Sequence, residues 1–330
     1  DYHGHTLNFD VCCAKIEKTK MLTSFFGGSK PINFAMIVLA VIVYFTGFYL
    51  VSDVYEFTSL EALGQFFVLL AYLFSLGVLN FVVKRNTLSK RTTYILYFFV
   101  CFTFAVPVSF FNYDIVFSGL FVLLALRRII SMKTEKDFKK KVFDAAFWIT
   151  IASLFFFWSI LFLVVLYFSI LFYGRSEYRN WLMPLGGIFV VLLLTFTFSL
   201  YYEGAKEFAL SYFELPTLDF RAYSSLKLLL PTSFFLALYI WCGSRYIKQV
   251  SDAPQKLKAS FILIIISSLV ALFIAIFVAP LRDGSELYFL FGPLAIITAT
   301  YIETSKSFWF KEMMMWLALL IPILLIFWRV

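Results

Sequence analysis

Arg127–Lys141 reads RRIISMKTEKDFKKK, Val142–Tyr173 follows as an apolar block with Asp144 its lone charge, and Gly174–Asn180 closes it as GRSEYRN. The two basic segments mark sides of a membrane, and the block between them sets the parity of every later crossing. Taken as one helix, Phe143–Tyr173 would be about 46 Å long at about 1.5 Å per residue. A hydrocarbon core is about 30 Å thick, so one span would need strong tilt or a long overhang. Two short spans breaking near Trp158 are the alternative, and charge arbitrates between them.

Lys and Arg of short connecting loops stay on the cytoplasmic side. With two spans in the block, 23 of the 28 cations fall inside, leaving Lys206, Arg221, Lys227, Arg282 and Arg329 outside. With one span every later loop changes side and the division becomes 20 to 8. Two short spans are therefore expected.

The whole composition agrees with a membrane fold. Apolar residues make up 62% of the 330 residues and charged ones 15%, against about half and a quarter in soluble domains. The net charge of +8 lies in loops between apolar runs, so it speaks of topology and against nucleic acid. Working outward, spans are expected near Ile32–Val51, Ala62–Val83, Thr93–Phe110 and Ile115–Leu126 before the block. After it come Trp181–Tyr201, Ser225–Trp241, Phe261–Val278, Leu287–Ile302 and Met313–Trp328. The expectation is an all-α polytopic bundle of about eleven spans, or ten if the block is one helix. Its N-terminus is cytoplasmic and its membrane the bacterial inner one. Ala205–Phe213 has mixed faces and reads as a short interfacial helix. Tyr and Trp at span ends (Trp181, Tyr201, Tyr202, Trp241, Trp309) suit the interfacial belt.

Residues 1–20 differ in character from the rest and read as an upstream-translated or added leader, with Met21 the natural start and 21–330 a single transmembrane domain. Both histidines (His3, His5) and two cysteines (Cys12, Cys13) lie in that leader. Past Met21 there is no histidine, which removes His-ligated metal and haem chemistry. No cofactor and no metal site is expected. The charges Glu61, Asp144, Lys227 and Glu303 stand at span ends rather than mid-membrane, where ion-coupled transporters keep them. A transporter is the weakest of the readings.

The outer loops are the place for chemistry. They carry Asp53 and Glu56 in the first, Asp114 in the second, Asp219 and Arg221 in a later one, and Arg282, Asp283 and Glu286 in the turn PLRDGSE. Carboxylates that serve as base, beside arginines that grip phosphate, are what group transfer from a lipid phosphate requires. Asp53, Glu56 and Asp114 are the candidate catalytic residues. Arg221, Arg282, Asp283 and Glu286 are the candidate phosphate-binding set. The plainer reading is that outer loops are acidic because they exclude Lys and Arg.

Five segments carry a resemblance: MLTSFFGGSKPINF (Met21–Phe34), LNFVVKRNTLSKRTTY (Leu79–Tyr94), FDAAFWITIASLFFFWSILF (Phe143–Phe162), RNWLMPLGG (Arg179–Gly187) and SELYFLFGPLAIITATYIE (Ser285–Glu303). Together they resemble an uncharacterised multi-pass inner-membrane family of Bacteroidota. The resemblance implies a polytopic envelope protein and brings no functional residues with it. Members of that family often have a proline in the central block where Trp158 stands here.

Two functions from different classes fit these features. One is a non-catalytic accessory component of the cell envelope, packed on lipid or on another membrane protein. The other is a polyprenyl-phosphate-linked glycosyltransferase or polymerase with an outward-facing site.

Overall fold

A computed structural model describes residues 22–51, 59–90, 92–134, 136–174, 177–201, 215–280, 282–305 and 307–327. Among these residues the fold is all-helical, with no strand. The helices are α1 (Leu22–Phe26), α2 (Pro31–Val51), α3 (Ser59–Asn86), α4 (Tyr94–Ala105), α5 (Val108–Phe111), α6 (Tyr113–Ser131) and α7 (Phe138–Phe155). They continue as α8 (Leu163–Tyr173), α9 (Tyr178–Tyr201), α10 (Leu226–Asp252), α11 (Gln255–Phe273), α12 (Tyr288–Thr304) and α13 (Phe308–Phe327). Eight described helices are long and apolar enough to cross a membrane. Two shorter apolar segments, Tyr94–Ala105 and Phe157–Tyr173, accompany them. The expected interfacial helix over Ala205–Phe213 lies outside the described residues.

The central block breaks where the sequence argument put it. Helix α7 ends at Phe155, Phe156 is extended (φ −136°, ψ 104°), and a 3-10 turn over Phe157–Phe162 contains Trp158. The chain then doubles back as α8. The ion pair Lys139–Glu177 (3.4 Å) ties the first turn of α7 to the residue just before α9, so the chain leaving α8 has returned to where α7 began, which two stacked collinear helices could not do. Aromatic rings cushion the turn, with Phe156 and Phe162 both against Phe289 of α12. Asp144, the lone charge of the block, pairs with Arg128 at 3.0 Å next to the basic segment rather than at depth.

Other contacts show which chain ends gather together. Lys133 donates to the Asn86 carbonyl at the close of α3 (2.8 Å). Glu303, at the close of α12, accepts from Ser89 Oγ, Thr92 Oγ1 and the Lys90 amide. Glu312, early in α13, accepts from the amides of Leu22 (2.7 Å) and Thr23 (3.1 Å) and from Thr23 Oγ1 (2.6 Å). Tyr173 meets Ser260 near the start of α11. These groups form one end of the bundle, called the basic end here for Lys84, Arg85, Arg128, Lys133, Lys139 and their neighbours. The opposite end holds α5, the start of α10, and the turn before α12. The segment SFFGGSKPIN acquires a physical meaning in this frame. Glu312 meets the orphan amides at the start of α1, and Asn33 Nδ2 closes its exit by donating to the carbonyls of Phe25 (2.7 Å) and Gly28 (2.8 Å).

Helix α12 is the axis of the fold. Every residue from Tyr288 to Ile302 is buried, and α4, α6, α10 and α11 pack around it. Between membrane helices lipid competes equally for apolar side chains, so association rests on close van der Waals packing and on small residues that permit it. Gly119 of α6 is such a residue: a Cβ there would overlap the Tyr288 ring. Helix α9 shows the same device at the periphery. It touches α7 through the narrow stripe Asn180, Pro184, Gly187 and Val191, while Leu185, Phe189, Leu193 and Phe196 face outward.

A Cβ on Gly187 would stand 2.8 Å from the Phe143 carbonyl oxygen and 2.9 Å from Ala146 Cβ, whereas one on Gly186 meets the Phe143 ring at an ordinary 3.7 Å. Gly187→Ala should therefore destabilise by about 1–3 kcal/mol. Gly186→Ala should be neutral or slightly stabilising through helix propensity. Melting of the two variants in detergent checks the difference; equal effects would show that α9 does not lean on α7 through Gly187.

Candidate functional site

The sequence VAPLRDGSELYF must stop α11 and start α12 within a few residues. A π-turn over Ile274–Val278 ends the incoming helix. Gly284 then takes φ +95°, a conformation that L side chains rarely adopt. A Cβ there would also meet Leu228 at 2.7 Å, so α10 is packed directly on the turn. Asp283 Oδ1 accepts from the amide (2.9 Å) and hydroxyl (2.6 Å) of Ser285, an Asx-type turn that launches the first turn of α12.

Two charged side chains from this turn face inward. Arg282 is 5% exposed and Glu286 1% exposed. Arg282 donates through Nη1 to the Ala275 carbonyl (2.7 Å) and through Nε to the Thr217 carbonyl, and its guanidinium lies 4.2 Å from the centre of the Phe220 ring. The Ala275 carbonyl is available because it belongs to the π-turn at a helix end, where carbonyls lose their intrahelical donors. Glu286 Oε1 accepts from the Tyr223 hydroxyl (2.7 Å) and Oε2 from the Gly284 amide (3.0 Å). Burial, and then the neighbouring Glu286 carboxylate, push the Tyr223 hydroxyl well above the usual tyrosine range. Tyr223 therefore keeps its proton and acts as the donor. Thr217 adds a hydroxyl bond to the Pro280 carbonyl (2.7 Å). The stretch 215–224 is thus fastened along the turn by Thr217, Phe220 and Tyr223.

The residues singled out from sequence separate into four groups. Arg282, Asp283 and Glu286 do come together, but Arg282 and Glu286 are engaged with the protein's own groups. Arg221 neighbours Phe220 and Tyr223 in the chain yet points away, its side chain 94% exposed and 3.7 Å from Asp219. Asp114 is half-buried in the first turn of α6, whose entry Asn112 caps by accepting from the Ile115 amide (3.3 Å). It lies at the same end of the bundle, since α5 packs on residues 285–287. Asp53 and Glu56 lie outside the described residues. Thr217, Phe220 and Tyr223 had no signal in the sequence beyond ordinary loop composition, because their role depends on a turn some sixty residues later.

Chemically the cluster is a fastening with one open valence. Arg282 Nη2 is buried and lacks a hydrogen-bond partner among the described residues. Each Glu286 oxygen already holds one donor of the protein, Tyr223 on Oε1 and Gly284 on Oε2. A cavity of about 20 Å3 lies deeper, against Phe99, Gly119, Ser267, Tyr288, Phe289 and Pro293. That volume is about one water molecule, and no charged residue lines it. Among the described residues, no three His, Cys, Asp or Glu side chains group so as to hold a metal ion.

Residues 28–330 match a family described as being of unknown function, DUF6427. No curated protein and no solved structure matches the chain.

Removing a buried hydrogen-bond partner costs about 1–3 kcal/mol. Tyr223→Phe and Glu286→Gln should each lower stability on that scale, and the double variant should lose less than the sum of the two. Denaturation of all three in detergent measures the coupling; strict additivity would mean that the Tyr223–Glu286 contact carries no stability.

Proposed function

The chain belongs to DUF6427, a family of unknown function, and we propose that it is a non-catalytic accessory component of a bacterial cell envelope, embedded in the inner membrane. The observation that carries this reading is the use made of Arg282 and Glu286. A catalytic pair has to present lone pairs and protons to a substrate, whereas these two direct most of theirs to Ala275, Thr217, Tyr223 and Gly284. Apolar helix faces such as that of α9 offer their area to lipid or to another membrane protein. The Bacteroidota resemblance of the five sequence segments supports the envelope setting.

The proposed topology has eleven crossings with the basic end in the cytoplasm. The doubled-back centre supports that count, because α7 and α8 then contribute one crossing each. The gathering of Lys84, Lys133, Lys139 and Lys311 at one end supports the orientation. Single cysteines introduced at Ser89, Lys136 and Asp252 should label from the cytoplasmic side, and ones at Thr217 and Asp283 from the other. Labelling of Lys136→Cys and Asp252→Cys from opposite sides would overturn the count.

One observation favours a second reading, an enzyme acting on a polyprenyl-phosphate-linked substrate. The unpartnered Arg282 Nη2 is a donor that a phosphate oxygen would satisfy, and Asp114 lies at the same end of the bundle. The two readings part on Asp53→Asn combined with Glu56→Gln. An accessory component should retain the surface glycans of the cell with this variant inserted normally. A transferase should lose them while insertion is intact.

A further inference from the structure

We propose that the rim between α3 and α6 at the basic end is a binding site for an anionic phospholipid, with Lys84, Arg85 and Arg127 on its phosphate and the α3 face below them on an acyl chain. The proposal deepens the membrane reading by naming a lipid class and a place; it rests on that reading only for lipid to reach this face. Phe74, Gly77, Phe81, Lys84 and Arg85 recur at three-, four- and seven-residue intervals, so they share one face of α3. Phe74 is 57% and Phe81 47% exposed. Between them Gly77 leaves a notch, since an added Cβ would find nothing within 4 Å. Arg127 reaches across from α6 and places its guanidinium 4.5 Å from the centre of the Phe81 ring. Lys84 and Arg85 are exposed one turn further on. An aromatic ring with cations above it and an open apolar notch below matches the order of charge and hydrocarbon in a phospholipid.

The charges around this rim sharpen the assignment. Arg128 is paired with Asp144 and Lys139 with Glu177. Lys133 is turned to the Asn86 carbonyl and Lys141 to the Ser131 carbonyl. Among the described residues no carboxylate pairs with Lys84, Arg85 or Arg127. Among the described residues the rim therefore holds three cations without a carboxylate partner where a membrane's phosphate layer would lie, beside neighbours already satisfied by the protein. Charge complementarity selects an anionic headgroup over a zwitterionic one.

The test is lipid retention by the purified full chain in detergent, read by native mass spectrometry with phosphatidylglycerol against phosphatidylcholine. Wild type should retain phosphatidylglycerol preferentially, and each cation removed among Lys84→Gln, Arg85→Gln and Arg127→Gln should weaken retention about fivefold. Lys136→Gln with Lys140→Gln removes two exposed charges from the same end and should leave retention unchanged. Gly77→Phe keeps every charge, fills the open notch and should weaken retention as well. Melting temperatures close to wild type verify that each variant is folded. Equal losses in the rim and control variants would reduce the effect to net charge and overturn the site. So would an unchanged preference in the triple variant, or displacement of the lipid by inorganic phosphate, which would mark a site for the free ion.

Discussion

A helix buried over nearly its whole length, as α12 is from Tyr288 to Ile302, draws the partners for its ends largely from the protein. For α12 this requirement organises its surroundings. At its entry, Glu286 sits in the 3-10 turn that leads into the helix, where a negative charge suits the helix dipole, and takes the Gly284 amide and the Tyr223 hydroxyl. At its exit, Lys90 donates to the Glu303 carbonyl while the Glu303 side chain gathers Ser89, the Lys90 amide and Thr92. Each closure recruits a distant segment: the stretch before α10 at one end and the loop after α3 at the other. With both ends met, α12 can fill the middle of a bundle whose remaining surface is apolar.

The same logic explains where the few charges of this chain went. An ionised group inside a low-dielectric slab is costly unless paired or hydrogen-bonded. Asp144 lies beside Arg128, Glu312 on the amides of α1, and Arg282 on two carbonyls and an aromatic face. Carboxylates and guanidinium here act as clasps between segments far apart in sequence. That use is sufficient reason for their presence, and it turns attention from the turn before α12 toward Lys84, Arg85 and Arg127 at the rim of α3 and α6, with which no carboxylate pairs among the described residues.

Much of the architecture was legible beforehand because a bilayer imposes simple rules. Lengths of apolar runs located the helices, and the distribution of lysine and arginine called for a reversal inside Val142–Tyr173. The reversal falls at Phe156–Phe162 around Trp158, with no proline in that stretch; an extended residue and a 3-10 turn packed on Phe289 make the break. Helix ends were less legible. Helix α6 runs past Leu126 through Arg127 and Arg128 to Ser131, and α3 through Lys84 and Arg85 to Asn86, since cationic side chains on a helix can reach the interface from its last turns.

For the candidate site, sequence proximity grouped Arg282, Asp283 and Glu286 correctly and could say nothing of their direction. Whether a charged side chain in a loop faces water, a substrate or the protein is decided by what packs behind it. Here that is Thr217, Phe220 and Tyr223, more than fifty residues upstream. The amino-acid sequence by itself determined a helical membrane chain, its breaks and its charge asymmetry, because those follow from transfer of each residue between water and hydrocarbon. Only the tertiary structure decided that Arg282 and Glu286 turn inward, that Gly119 and Gly187 are points of helix contact, and that Arg127 meets Phe81. Those depend on which unsatisfied donor, acceptor or surface lies opposite in space, a property of pairs that no single stretch of chain contains.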